Sequence, residues 1–232
     1  MKRRSLLLLA AAIAAPAAAE TLADRFDRGL CLGACRGWNW PDSQQIDGRL
    51  DVVAVDGGKA LRARTAARGS RVPKAALIAR PATVGAGGTI RVSFDLMVPQ
   101  GAPLNSLHLV DIECATCGEG HNPGIRLYLR GGRLRIDRSK IGERHAWTNE
   151  AAPQLRHGRW QRIDAAFVVG RDGVGGATVR LDGAVALSAR GRTAAQGADG
   201  VRADRVQIGI TASSNPGPAV AYFDNVTVAI AR

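Results

Sequence analysis

Apolar and polar residues alternate along most of this chain in short runs that end at Gly, Pro, Asn or Asp. Alternation with a period of two is typical of β-strands with one buried face, and no stretch carries a convincing helical repeat. The pattern predicts an all-β fold, a two-sheet antiparallel jelly-roll sandwich, as a single domain without a linker. Outside the segment 106–137, the predicted strands cover 49–55, 59–66, 74–80, 89–98, 160–169, 177–181, 184–189, 205–212 and 219–229, with a type I′ turn at 182–183.

The segment 106–137 is the most informative part of the sequence, because its three predicted strands place polar side chains on one face. The alternate positions are apolar and are expected to face a core. His108 has the opposite parity to the polar set, so we expect it to point to the other face. A sugar-binding groove or an acid–base site needs such polar groups, although a solvated face with cross-strand ion pairs has the same composition. The polar positions are Asp111, Glu113, Arg126, Tyr128, Arg130, Arg133, Arg135 and Asp137.

The N-terminus has the three parts of a secretory signal peptide, which we assign to residues 1–19. A basic start at 2–4 is followed by an apolar core at 6–15 and an A-x-A-like cleavage site at 17–19. The alternative is an N-terminal membrane anchor, but the apolar run is shorter than the about 20 residues that a spanning helix needs. We therefore expect a mature domain of residues 20–232 that is soluble, periplasmic or secreted, monomeric, and without a membrane span.

The chain is strongly basic, with 32 Lys and Arg against 20 Asp and Glu and a formal net charge of +12. Removing the signal peptide leaves +9, because its three charged residues are all basic. A basic exported protein favours acidic partners such as anionic polysaccharide, lipid headgroups or nucleic acid. An arginine-rich genome would produce the same charge. Among these partners we expect an anionic polysaccharide and no nucleic acid.

The four cysteines occur in two close pairs, with the spacings C-x3-C and C-x2-C. In an exported protein, disulfides are the default state of such residues. Three pairings can be drawn, and we favour the two local ones, Cys31–Cys35 and Cys114–Cys117, each of which would staple a loop. The alternative to disulfides is a zinc site formed by all four cysteines.

Several motifs occur in an order that resembles a known group of proteins. They are PGIRLYLRGGRLRI at 123–136, LRHGRWQRID at 155–164, VRLDG at 179–183 and AYFDNVTV at 221–228. Over residues 89–229 the chain resembles concanavalin A-like jelly rolls and, among these, polysaccharide lyases of the heparin and alginate lyase type. This resemblance implies a jelly-roll fold and a polysaccharide partner.

Two departures from the pattern of these relatives affect the expected chemistry. Alginate-lyase-type enzymes carry Gln-x-His where this chain has Asp111-Ile112-Glu113. Laminarinase-type hydrolases of the same fold carry E-x-D-x-E, and here Leu109 takes the place of the nucleophilic glutamate that a retaining mechanism needs. The departures favour a non-catalytic glycan-binding or envelope-structural module as the alternative to an enzyme. A hydrolase would need Glu113 to pair with Asp111 or Asp137.

A polysaccharide lyase must neutralise a uronate carboxylate, remove the neighbouring proton and protonate the leaving oxygen. A guanidinium group suits the first task, and a phenol, a desolvated carboxylate or an imidazole suits the proton transfers. The polar loop 141–157 is expected to carry His145 and an exposed Trp147 towards the groove. The predicted catalytic residues are Glu113, Tyr128, Asp111 and His145, and the predicted substrate-binding residues are Arg126, Arg130, Arg135 and Trp147.

Asp224 interrupts an otherwise apolar final strand in the motif Tyr222-Phe223-Asp224-Asn225. In related jelly rolls a carboxylate near the chain end helps to hold a structural calcium ion, together with backbone carbonyls. The resemblance therefore implies calcium at Asp224, while a bulge residue bonded to the backbone is the alternative. We expect no cofactor to be required for the chemistry.

Overall fold

The computed structural model describes residues 21–33, 40–117, 122–197 and 200–231, and within them the chain is built from antiparallel strands. A single turn of 3-10 helix at Ser139–Ile141 follows the tenth strand. The strands are β1 Thr21–Asp24, β2 Asp42–Ile46, β3 Gly48–Val55, β4 Gly58–Thr65, β5 Lys74–Ala79, β6 Val84–Gly85, β7 Thr89–Met97, β8 Leu107–Glu113, β9 Gly124–Arg130, β10 Arg133–Asp137, β11 Gln161–Val168, β12 Gly176–Leu181, β13 Ala184–Arg190, β14 Gln196–Gly197, β15 Gly200–Ala203, β16 Arg205–Ser213 and β17 Ala219–Ala231.

Two large sheets and one small sheet organise these strands. The eight-stranded sheet has the order β13-β12-β11-β7-β17-β4-β3, with β1 added alongside β17. The six-stranded sheet has the order β10-β9-β8-β16-β5-β2, and a short sheet is formed by β14, β15 and β6. Neighbours within each large sheet are often distant in sequence, as in jelly rolls and Greek keys. The predicted two-sheet antiparallel sandwich is confirmed.

The core of the sandwich is built from the alternating apolar positions. Phe94 on β7 and Phe223 on β17 are fully buried, and their ring centroids lie 5.5 Å apart. The apolar positions predicted within 106–137 all belong to this core, which confirms the predicted parity of the apolar set: Val110, Ile112, Ile125, Leu127, Leu129, Leu134 and Ile136.

Tight turns join several neighbouring strands. Asp182 and Gly183, between β12 and β13, have φ values of 49° and 81°, the positive signs that a type I′ turn requires. The strands that the sequence pattern missed are short or lie at sheet edges. In β2 the residues are mostly polar and only partly buried, so no alternation marks this strand.

The predicted Cys114–Cys117 disulfide is confirmed, with a Cα–Cα distance of 5.5 Å. Because these two sulfurs are bonded to each other, the alternative of a zinc site from all four cysteines is wrong. Cys35 and residues 1–19 lie outside the described residues, so the other pairing and the signal peptide stay predictions. Within the described ranges, no helix is long and apolar enough to cross a bilayer.

Candidate functional site on the six-stranded sheet

The outer face of the six-stranded sheet, opposite the core, carries the polar residues predicted from the sequence. We call the outer face of strands β10, β9, β8, β16 and β5 the polar face. Arg126 on β9 lies between Asp111 on β8 and Asp137 on β10. Tyr128 lies opposite Arg135 on β10. The predicted parity therefore brings these five side chains onto one surface.

His108 also lies on the polar face, so the expectation that it points to the opposite face is wrong. His108 lies opposite Tyr128, and Val110 lies opposite Leu127. Between these two pairs β8 advances by two residues, whereas β9 advances by only one. Leu109 is therefore an extra residue in β8, and it is fully buried. A bulge of this kind reverses the side-chain parity on one side of it. Counting by twos cannot detect that reversal.

The imidazole of His108 stacks on the ring of Tyr128, with 5.3 Å between centroids and 24° between planes. Its Nε2 lies 3.7 Å from Oδ2 of Asp137, close enough for an ion pair when the ring is protonated. Its Nδ1 is buried and has no hydrogen-bond partner among the described residues. Buried polar atoms without partners are uncommon, and one explanation for them is a catalytic role.

Asp137 accepts the hydrogen bonds that hold the β9–β10 side of the polar face together. Arg126 donates to its carboxylate through both Nε, at 2.9 Å, and Nη2, and the backbone N–H of Ser139 donates at 2.8 Å. Burial alone would raise the pKa of Asp137, but the adjacent His108 ring, the hydrogen bond from Ser139 and the charge of Arg126 outweigh burial. The pKa of Asp137 is therefore held well below its usual range, and the carboxylate stays ionised.

Asp111 and Glu113 are both only 1% exposed, and Lys140 of the 3-10 helix covers them. The Nζ of Lys140 lies 3.3 Å from Oδ2 of Asp111 and also donates to Oε1 of Glu113. One cation thus bridges two carboxylates that would otherwise repel each other in a buried position.

The remaining oxygens of these two carboxylates are also bonded. Thr211 donates its hydroxyl to Oδ1 of Asp111 at 2.6 Å. Gln207 donates to Oε2 of Glu113 at 2.8 Å, and Arg205 lies 3.5 Å from the same oxygen. The arrangement suits an ionic support beneath the polar face better than a pair of reactive acids. Catalytic roles for Asp111 and Glu113 stay predictions.

The predicted substrate-binding arginines differ in how firmly the protein holds them. Arg126 is held by its two hydrogen bonds to the carboxylate of Asp137, as described above. Arg135 pairs at 2.9 Å with Glu150, whose side chain is 70% exposed, so this pair is weak. Arg130 is exposed at the end of β9. A substrate carboxylate could therefore replace the partner of Arg135 most easily.

His145 and Trp147 lie on the segment that follows the 3-10 helix, beyond the edge strand β10. Trp147 is bonded through its backbone to Ile136. Its ring is half-buried and not exposed as expected, because the Arg138 guanidinium lies 4.4 Å from the ring centroid and the ring packs against the core. His145 is exposed, and its carbonyl accepts a hydrogen bond from Arg138. Among the contacts of the described residues, none joins either side chain to Tyr128, and the roles of His145 and Trp147 stay predictions.

Lys74 and Lys140 are functional candidates that the sequence reasoning missed. A signal was present, because the chain has only four lysines, at positions 2, 59, 74 and 140, beside 28 arginines. In a chain with so many arginines the few lysines stand out, because an ammonium group differs from a guanidinium in shape and hydration. On β5, the Nζ of Lys74 donates to Oε1 of Gln44 at 3.3 Å. Burial lowers the pKa of Lys74, and the carboxylate of Asp111 acts in the opposite direction.

Asp224 lies on the outer face of the other large sheet. Its Oδ1 accepts a hydrogen bond from the backbone of Asn225 at 2.7 Å, which fits the bulge alternative. Burial raises its pKa, and the nearby carboxylates of Asp95 and Asp27 add to that effect. No three His, Cys, Asp or Glu side chains in the described ranges are grouped so that they could hold a metal ion. Calcium at Asp224 therefore stays a prediction without a matching donor set.

The fold is similar to those of several solved proteins. One is an endo-β-1,4-glucuronan lyase from the fungus Trichoderma reesei, with a TM-score of 0.65 and 15% sequence identity over 92% of this chain and 95% of that one. Another is the alginate lyase Aly36B, with a TM-score of 0.59 and 9% identity over 90% and 96% of the two chains. The cellulose-induced protein Cip1 has a TM-score of 0.59 and 13% identity over 89% and 96%.

These similarities concern the fold, because all three identities are far below the level at which function can be transferred. No family model matches the sequence, and no curated protein does. The resemblance to polysaccharide lyases that the sequence predicted is confirmed at the level of the sandwich architecture.

Proposed function

We propose that this protein is an exported lyase that cleaves a 1,4-linked polyuronate by β-elimination on the polar face. The observation that carries the proposal is the stacked pair of His108 and Tyr128, flanked by Arg126 and Arg135. An imidazole and a phenol side by side, next to guanidinium groups, meet the needs of proton removal, proton return and carboxylate neutralisation. The solved proteins of similar fold that are named as glucuronan and alginate lyases support the choice of substrate class.

In the proposed reaction, Arg135 exchanges Glu150 for the uronate carboxylate and neutralises it. This lowers the barrier to removing the proton on C5, because the negative charge that develops is spread onto the carboxylate. The electron pair of the C5–H bond forms the C4=C5 double bond, while the C4–O bond to the leaving sugar breaks. The leaving oxygen takes up a proton, so the reaction needs neither water nor an oxidant.

His108 and Tyr128 divide the two proton transfers in this scheme. The imidazole of His108 accepts the C5 proton, and the Asp137 carboxylate near its Nε2 stabilises the imidazolium that forms. Tyr128 donates its hydroxyl proton to the leaving oxygen. Catalytic groups often complete their hydrogen bonds only in the substrate complex, which accounts for a polar atom without a partner at this position.

Binding without cleavage is a second candidate function, and the burial of Asp111 and Glu113 favours it. Both carboxylates are predicted from the sequence to be catalytic, and neither is accessible to solvent. The same burial argues against a hydrolase, because a retaining mechanism needs two accessible carboxyl groups about 5 Å apart.

The test is to incubate the purified mature protein with glucuronan, with alginate and with neutral cellulose oligomers. A lyase gives ultraviolet absorbance from the new conjugated double bond, whereas a binding module gives only a rise in melting temperature with ligand. Tyr128→Phe should lower turnover by about a hundredfold or more. Tyr222→Phe, which changes the chain's other tyrosine on the opposite sheet, is the matched control. Equal turnover in the two variants would remove Tyr128 from the mechanism.

A further inference from the structure

Lys74 presents a cation at the side of the polar face that is most distant from β10. It is the first residue of β5 and pairs with Ile46 of β2. Its neighbour across on β16 is Thr211, which bonds to Asp111, so the alternation of side chains places Lys74 on the same outer face. It is only partly exposed to solvent.

No carboxylate of the described part of the chain is bound to this ammonium group. Within the described residues, the Lys74 side chain takes part in no ion pair, and its one hydrogen bond is to the neutral amide oxygen of Gln44. The nearest carboxylates are already bonded to Lys140 and Arg205. Partly burying a cation without an ion-pair partner opposes folding to some extent. Such a group is therefore better explained by a ligand than by stability.

The strand register places Lys74 in line with the reactive pair. Arg135, Tyr128 and His108 lie opposite one another on β10, β9 and β8, and His108 lies opposite Ala212 on β16. Because Ala75 pairs with Ile210, Lys74 lies beside the Thr211–Ala212 end of β16. Arg135, Tyr128, His108, Ala212 and Lys74 therefore form a row across five strands. Neighbouring strands are about 4.8 Å apart, so the four intervals place Arg135 and Lys74 about 19 Å from each other.

A polymer that crosses the strands along this row would meet one cation at each end. The central carboxylates contribute no net attraction, because Lys140, Arg205 and Arg126 already neutralise them. An extended chain with one carboxylate on every sugar can reach both ends at once. A single uronate at the His108–Tyr128 pair cannot reach Lys74.

Building on the proposed function, we propose that Lys74 forms a distal subsite for the carboxylate of a second uronic acid, several sugars away from the bond that is cleaved. The subsite makes the protein selective for long acidic oligomers. Lysine suits this role because its ammonium can follow a carboxylate on a flexible chain. The lowered pKa that burial gives Lys74 is consistent with an ammonium group that gains from an incoming anion.

The test measures the affinity of oligoglucuronates from dimer to hexamer by calorimetry, with cello-oligosaccharides as the uncharged counterparts. Lys74→Met should weaken hexamer binding roughly ten- to a hundredfold and leave dimer binding within about twofold. Lys74→Arg should restore most of the hexamer affinity, since it keeps the charge. Lys59→Met, at an exposed lysine on the other sheet, is the matched control.

The outcomes separate this proposal from the proposed function. Wild-type binding to glucuronates with an unchanged hexamer affinity in Lys74→Met overturns the distal subsite and leaves the proposed function standing. An equal loss for dimer and hexamer also overturns it, because Lys74 would then act at the centre of the site. Wild-type protein that binds no glucuronate of any length overturns both.

Discussion

His108 and Tyr128 form a stacked pair across β8 and β9, with their ring centroids 5.3 Å apart. The pair exists because Leu109 is an extra residue in β8, which turns His108 onto the outer face. Bulges are frequent next to active sites, where they redirect a side chain. The position of His108 therefore connects an irregularity of the strand directly to the proposed chemistry.

We predict that His108→Ala lowers turnover of polyuronate by about a hundred- to ten-thousandfold, because it removes a proton-transfer group. The initial rate of double-bond formation is the measurement, and melting temperature checks that the fold is retained. His145→Ala, at the exposed histidine predicted from the sequence, should have little effect. If His145→Ala lost more activity than His108→Ala, the proton transfer would have to be assigned to the loop 141–157.

Lys140→Met should destabilise the fold by about 3 kcal/mol, because it leaves two buried carboxylates without their shared cation. Urea unfolding near neutral pH measures the change in the free energy of unfolding. Lys59→Met serves as the control at an exposed site, where little change is expected. Adding Asp111→Asn and Glu113→Gln to Lys140→Met should recover part of the loss. Unchanged stability in Lys140→Met would show that the bridge contributes nothing.

Asp137 should stabilise the protein in a pH-dependent way. Its pKa is lowered in the folded state, so its contribution is fully present above the unfolded pKa of about 3.9 and is lost as the pH falls towards the folded pKa. The difference in unfolding free energy between the wild type and Asp137→Asn should therefore be constant near neutral pH and shrink below about pH 4. Asp172→Asn, at an exposed turn, is the control variant. A difference independent of pH would contradict the assignment.

The Cys114–Cys117 disulfide should contribute only modestly to stability, because the loop that it closes is short. Replacing both cysteines with serine should lower the free energy of unfolding by about 2 kcal/mol. The fold should persist, since the Asp204 carboxylate also holds this loop by accepting hydrogen bonds from the backbone of Ala115, at 2.6 Å, and from the hydroxyl of Thr116. Unfolding of the double variant under native conditions would show that Asp204 is not a sufficient anchor.

Alternation alone was enough to determine the all-β class, most of the strands and the face that carries Arg126, Tyr128 and Arg135. These features depend on local backbone geometry and on burial, and both leave a period of two in the sequence. The Cys114–Cys117 pair was also determined locally, because two residues so close in a turn have few other partners.

Only the tertiary structure decided where His108 points, which carboxylates are reachable and where Lys74 lies. The bulge at Leu109 depends on the register between β8 and β9, and no local pattern records that register. The burial of Asp111 and Glu113 depends on Lys140, which is 27 residues beyond Glu113 in the chain. Lys74 joins the polar face because β5 pairs with β16, a contact between segments far apart in sequence. Contacts of this kind arise from the packing of the whole chain, so a reading of neighbouring residues cannot supply them.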